Sequence, residues 1–131
     1  MKTLIVEDDF TSRLLLQELL QGYGPTHSAV NGREAVTAFR QAMETGQPYN
    51  LICLDIMMPE MDGQTALRQM RQQEEDNNIF SSDGAKVIMT TALDHPKDVI
   101  AAFAGLCDAY LVKPIDRAKL LATLRSMQLI S

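Results

Sequence analysis

The sequence predicts an α/β domain, a doubly wound parallel sheet of five strands flanked by five helices. Three observations predict it. Short apolar runs alternate with stretches of helical periodicity along the whole chain, the pattern of strand–helix–strand units. The run Leu51-Ile52-Cys53-Leu54 is apolar at every position, as expected of a strand covered on both faces. Polar residues close several of the runs, namely Glu7-Asp8-Asp9, Asp55, Thr91 and Lys113. In a doubly wound sheet such carboxyl ends converge on one edge, where ligands bind.

Met1 to Val6 reads as the first strand, and three acids end it. Thr11 or Ser12 then caps a helix through about Gly22, with Leu15, Leu16, Leu19 and Leu20 along one face. Asp9 is read as solvated or as a cap of the same helix. Gly22-Tyr23-Gly24-Pro25 stops that helix, and Thr26 to Val30 is a weaker second strand. After Asn31-Gly32, Ala35, Val36, Phe39 and Met43 recur at helical spacing until Gly46-Gln47-Pro48. The strand ending at Asp55 follows. A third helix is predicted from Gly63 to about Glu75, with Ala66, Leu67 and Met70 inward. The polar stretch Gln73–Gly84 reads as a long exposed loop. Lys86 to Thr90 is the fourth strand. Asp94 or His95, with Pro96 just after, opens a fourth helix containing Val99, Ile100 and Phe103. Asp108 to Val112 is the fifth strand, and Arg117 to Gln128 a final helix carrying Leu120, Leu121, Leu124 and Met127.

At 131 residues the chain reads as a single domain over 1–131, long enough to bury a core of Leu, Ile, Val, Met and Ala. A net charge of -5 argues against nucleic acid as a partner, since that would require many cationic contacts to phosphate. No apolar run approaches the ~20 residues of a membrane span, and no leader is expected before the first strand. The expected location is cytoplasmic, with Cys53 and Cys107 as buried free thiols. His27 and His95 lack a second ligand at useful spacing. Met57, Met58 and Met61 suit packing better than soft-metal binding.

An aspartate closing a buried strand needs an explanation. Turn capping is the commoner fate of a strand-end Asp, but Glu7, Asp8, Thr91 and Lys113 are expected on the same edge. Two like charges ~4 Å apart repel by about 4 kcal/mol at an effective dielectric near 20. A hard divalent cation such as Mg²⁺ relieves that repulsion, and Lys113 supplies a further cation able to grip an anion. Acids, a metal, a lysine and a hydroxyl around one aspartate suit phosphoryl transfer onto a carboxylate.

The chain resembles the receiver domains of two-component response regulators, in particular the single-domain, CheY-like kind. The resemblance lies in Leu4-Ile5-Val6-Glu7-Asp8-Asp9, Asp55-Ile56-Met57-Met58-Pro59 with Gly63, Thr91-Ala92, and Tyr110-Leu111-Val112-Lys113-Pro114. It implies a flavodoxin-like strand order 2-1-3-4-5. It also implies that Asp55 is the phosphoacceptor for a sensor histidine kinase. Asp8, Asp55 and the backbone carbonyl of Met57 would hold Mg²⁺, with Glu7 acting through water. Thr91 and Lys113 would contact the phosphoryl oxygens, and Tyr110 would be an aromatic switch that turns inward when Thr91 moves. The Lys113-Pro114 bond would be cis. Such a protein promotes only its own phosphorylation and dephosphorylation and is not otherwise an enzyme.

Other readings stand beside these. Thr90 competes with Thr91, because strand alternation sends them to opposite faces; the Thr91-Ala92 match favours Thr91. Tyr110 could be simple packing. An aspartate-nucleophile phosphatase would need an acid at Met57. An inert flavodoxin-like binding module would need a phosphate cradle where Glu7-Asp8-Asp9 stand. Met57 and Leu93 occupy positions that tune phosphoaspartate lifetime in the family; both are apolar, so modest self-dephosphorylation is expected, with fast reset left to a separate phosphatase. With no output domain expected, signalling would run through protein contacts of the fourth helix, fifth strand and fifth helix, a flagellar motor component being one candidate listener. The alternative is a phosphorelay intermediate that hands its phosphoryl group to a histidine phosphotransfer protein.

Overall fold

In the computed structural model, which describes residues 1–56, 63–79, 83–91 and 106–131, five parallel strands lie in the order β2-β1-β3-β4-β5. They are β1 (Thr3–Val6), β2 (Thr26–Ala29), β3 (Leu51–Asp55), β4 (Lys86–Thr91) and β5 (Ala109–Val112). The described helices are α1 (Phe10–Leu20), α2 (Gly32–Glu44), α3 (Gly63–Asp76) and α4 (Arg117–Ser126), with a 3-10 turn at Gln21–Tyr23. The helix expected fourth, with His95 and Leu93, lies outside the described residues.

Side-chain alternation along the strands divides the core into two layers. Leu4, Val6, Ile52, Leu54, Val87 and Met89 face α2 and α3, where Val36, Phe39, Leu67 and Met70 meet them. Ile5, Leu51, Cys53, Ile88 and Leu111 face the other way, onto Leu16 and Leu20 of α1 and Leu120 and Leu124 of α4. The central strand β3 is buried at every position, which accounts for its unbroken apolar run, whereas β2, at the sheet's edge, exposes His27 and Ser28. Burial of Cys53 pushes its thiol up to about 12; Cys107 is only half-buried, and both are free.

Several boundaries differ from the sequence reading. Asp9, not Thr11 or Ser12, caps α1: its backbone is extended and its side chain accepts the Ser12 N–H at 2.9 Å. Strand β4 runs one residue further than expected, to Thr91, and β2 stops at Ala29. Helix α4 is capped by Asp116 and ends at Ser126. Helix α3 continues to Asp76 and so absorbs the first part of the expected Gln73–Gly84 loop. It stops where Asn78 adopts φ 60, with Ile79 N–H returning to Glu74 O at 2.8 Å and Asn78 N–H to Glu75 O at 3.0 Å. This is the left-handed helix stop that asparagine tolerates better than most residues.

The polarity of that stretch concealed a clamp. Glu74 is buried, and its Oε1 pairs with Arg71 Nη1 at 2.7 Å while its Oε2 accepts the Ala85 N–H at 2.7 Å. Arg71 also donates to Ala85 O at 2.9 Å and Leu106 O at 3.0 Å, and lies 3.3 Å from Asp108 Oδ2. Asp108 in turn accepts the Val87 N–H at 2.8 Å. One guanidinium thus fastens α3 to the entries of β4 and β5. Because its loss would strand a buried carboxylate, Arg71→Ala is expected to cost about 3 kcal/mol in urea unfolding. Removal of Arg40, whose exposed partner Glu44 is 3.9 Å away, should cost under about 0.5 kcal/mol.

Candidate functional site

Glu7 stands one residue past β1, Asp55 is the last residue of β3, and Lys113 stands one past β5. In the parallel register Val6 pairs with Leu54, so Glu7 and Asp55 come side by side. Alternation puts both on the α1/α4 face of the sheet. One oxygen from each of Glu7, Asp8 and Asp55 lies within 4.8 Å of the others. Glu7 and Asp55 are buried, while Asp8 is exposed. Lys113 Nζ sits 2.8 Å from Glu7 Oε2 and 3.4 Å from Asp55 Oδ2. Two of the three clustered carboxylates, Glu7 and Asp55, therefore share one ammonium.

The backbone fixes this arrangement. Lys113 N–H donates to Thr91 O at 2.7 Å, and the next peptide bond, Lys113-Pro114, is cis. Glu7 N–H donates to Ala29 O at 3.0 Å, its carbonyl accepts Arg13 Nη1 at 3.0 Å, and its Oε1 accepts the Asp9 N–H at 3.2 Å. Gly63, which opens α3, packs so closely that a Cβ there would lie 2.8 Å from both Asp55 O and Ile56 Cα. Only glycine lets the α3 entry approach the Asp55 backbone this closely.

Burial pushes Glu7 up to about 7; the Lys113 hydrogen bond opposes this and the Asp55 charge adds to it. Burial pulls Lys113 down, but its Glu7 and Asp55 partners outweigh that and raise it. Asp9 is lowered by the Ser12 hydrogen bonds. An all-oxygen donor set with two buried carboxylates and one open to water fits a hard divalent cation such as Mg²⁺, whose octahedral shell retains waters. It does not fit a soft metal.

Of the other predicted residues, Thr91 is buried at the end of β4 and holds Lys113 through its carbonyl. Thr90, paired in register with Asp55, shares the Asp55 face by strand alternation, and Thr91 closes the strand next to it. Tyr110 is 43% exposed on β5. Met57 lies outside the described residues. Sequence reasoning missed Arg13, which reaches back to the Glu7 carbonyl from the first turn of α1; no periodicity signals a side chain-to-carbonyl contact of this kind.

Two outcomes follow from this geometry. Glu7 binds a proton in the folded protein up to about pH 7, but in the unfolded chain only to about 4.5, so the folded state binds more protons between those values. Without divalent cations, stability should therefore fall as pH rises from 5 to 7, measured by urea unfolding, and Glu7→Gln should flatten that fall. Gly63→Ala should cost about 1–3 kcal/mol in the same assay, because the new methyl meets backbone.

A family model described as the response regulator receiver domain matches residues 3–125. The hybrid signal transduction histidine kinase L of Dictyostelium discoideum is 33% identical over 120 residues, 91% of this chain but 7% of that protein. The chemotaxis protein CheY of Treponema pallidum is 36% identical over 128 residues, 96% of this chain and 81% of that protein. Among solved structures, the CheX–CheY–BeF3–Mg complex from Borrelia burgdorferi superposes with a TM-score of 0.79 at 28% identity, covering 98% of this chain and 89% of that one. The chain spans only 46–47% of the matched ycf27 regulators.

Proposed function

We propose that this chain, which belongs to the response regulator receiver domain family, accepts a phosphoryl group on Asp55 from a sensor histidine kinase and signals through phosphorylation-switched protein contacts. The observation that carries the reading is the cluster of three carboxylates, two of which share the Lys113 ammonium, with Asp55 buried at the centre of the sheet's edge. A carboxylate oxygen of Asp55 attacks phosphorus as the bond to the donor imidazole nitrogen breaks, and the imidazole leaves with the electron pair. Asp8, Asp55, the backbone carbonyl of Met57 and, through water, Glu7 would hold Mg²⁺, which would supply positive charge for an anionic donor.

The chain's own residues do the rest. Lys113 can leave Glu7 for the incoming phosphoryl oxygens, a move of a flexible side chain whose backbone stays pinned to Thr91. A new charge of about -1.5 to -2 draws Thr91 and Lys113 inward, and Tyr110, outward in this state, is free to follow. Apolar Met57 and Leu93 orient no water for hydrolysis, so self-dephosphorylation is modest and a separate phosphatase supplies fast reset. Downstream targets read the face built on β5, Tyr110 and the C-terminal helix.

The solved CheY relative carries BeF3, a trigonal fluoride that becomes tetrahedral on an oxygen and so mimics a phosphoryl group; with its Mg²⁺ it supports the same chemistry here. The CheY relative spanned over 81% of its length favours an end-point switch. The hybrid kinase relative favours the second reading, a relay intermediate that passes phosphoryl to a histidine phosphotransfer protein.

Incubation with acetyl phosphate should add one hydroxylamine-labile phosphoryl group by intact mass, in wild type but not in Asp55→Asn, and only with Mg²⁺ present. A gain that survives Asp55→Asn would refute the assignment. For the second reading, transfer of that label to a histidine-bearing partner within minutes marks a relay, and its retention marks an end-point switch.

A further inference from the structure

Behind the acid cluster lies a cleft of about 140 Å³, bounded by Glu7, Lys113 and Thr90 at one end and by Leu15, Leu16 and Ile115 at the other. Its floor holds an unexplained group. Thr90 is 1% exposed, and its hydroxyl oxygen has no hydrogen-bond partner among the described residues. By strand alternation the Thr90 side chain projects to the α1/α4 face, which is where the cleft lies. A buried hydroxyl without a partner costs about 1–3 kcal/mol relative to one that is satisfied. The receiver chemistry proposed above assigns it nothing.

The dimensions and the walls limit what could supply that partner. A cavity of ~150 Å³ with apolar walls accepts a single benzene-sized ring. Glu7 and Lys113, the charged groups lining the cleft, are already paired with each other at 2.8 Å, which favours a neutral ligand over an ionic one. We propose that the cleft is a binding site for a small neutral ring bearing one hydroxyl, a phenol-class molecule, with its ring among Leu15, Leu16 and Ile115 and its hydroxyl on Thr90. The cleft shares Glu7 and Lys113 with the acid cluster, but contacts to Thr90 and the apolar wall need neither Mg²⁺ nor phosphoryl transfer.

The test uses phenol and benzene as probes, titrated into ¹⁵N-labelled full chain without Mg²⁺ or phosphodonor. Phenol should give saturable amide shifts centred on Leu15, Leu16, Thr90 and Ile115, with benzene binding about fivefold more weakly for want of one hydrogen bond. Thr90→Val, which keeps the shape and removes the hydroxyl, should erase the preference for phenol; Thr90→Ser should retain it. Leu15→Trp, which fills the cleft, should abolish both. The proposal is overturned by an absence of saturable shifts, by equal affinity for the two probes in wild type, or by phenol binding that survives Leu15→Trp. Because no phosphoryl donor is present, its failure leaves the assignment of Asp55 untouched, and failure of Asp55 to accept phosphoryl leaves the cleft untouched.

Discussion

The placement of two buried carboxylates and one half-buried ammonium at the end of a parallel sheet is the constraint on which the site depends. Parallel register makes it unavoidable: once Val6 sits beside Leu54, the next residues, Glu7 and Asp55, must be neighbours. Lys113 reaches both from the last strand, and Asp8 adds a third negative charge on the solvent side. Such a cluster is under-neutralised; burial pushes Glu7 up to about 7, and the Asp55 charge adds to that shift. The protein can relieve it by taking up a proton or by binding a cation. On the proposed reading, the second option couples the site to phosphoryl chemistry.

The surrounding packing keeps the cluster from relaxing. Arg13 anchors the Glu7 carbonyl, Thr91 anchors the Lys113 amide, and Gly63 lets the α3 entry close against the Asp55 backbone. At the opposite end of the sheet, the Arg71 clamp joins α3 to the entries of β4 and β5. Rigid backbone around mobile charged tips is what a charge-driven switch requires, since a small displacement of Lys113 then changes partners rather than deforming the fold.

The fold was legible because its largest signals are periodic. The apolar run of β3 and the helical spacing of Ala35, Val36, Phe39 and Met43 survive in the structure, and the strand order implied by family resemblance is the one observed. The convergence of Glu7, Asp8, Asp55 and Lys113 was legible too, because strand ends are set by topology. What escaped were side chains acting on distant backbone. Gln73 and Glu74 fell where the predicted helix end overlapped the predicted exposed loop, yet Glu74 is buried and paired with Arg71, and Asn78 ends the helix through backbone geometry that composition does not reveal. The Thr90 hydroxyl, without a partner among the described residues, likewise depends on atomic positions, not on pattern.

An acid cluster built for a divalent cation should tie the stability of the folded chain to Mg²⁺. A ligand that binds only the folded state raises its melting temperature as concentration passes the dissociation constant. Thermal unfolding should therefore be followed across a Mg²⁺ titration at constant ionic strength and pH 8, in wild type and in Asp8→Asn. The expected outcome is a saturable rise in the wild-type melting temperature that is lost or strongly weakened in Asp8→Asn. A wild-type melting temperature indifferent to Mg²⁺, or a rise of equal size in Asp8→Asn, would contradict it.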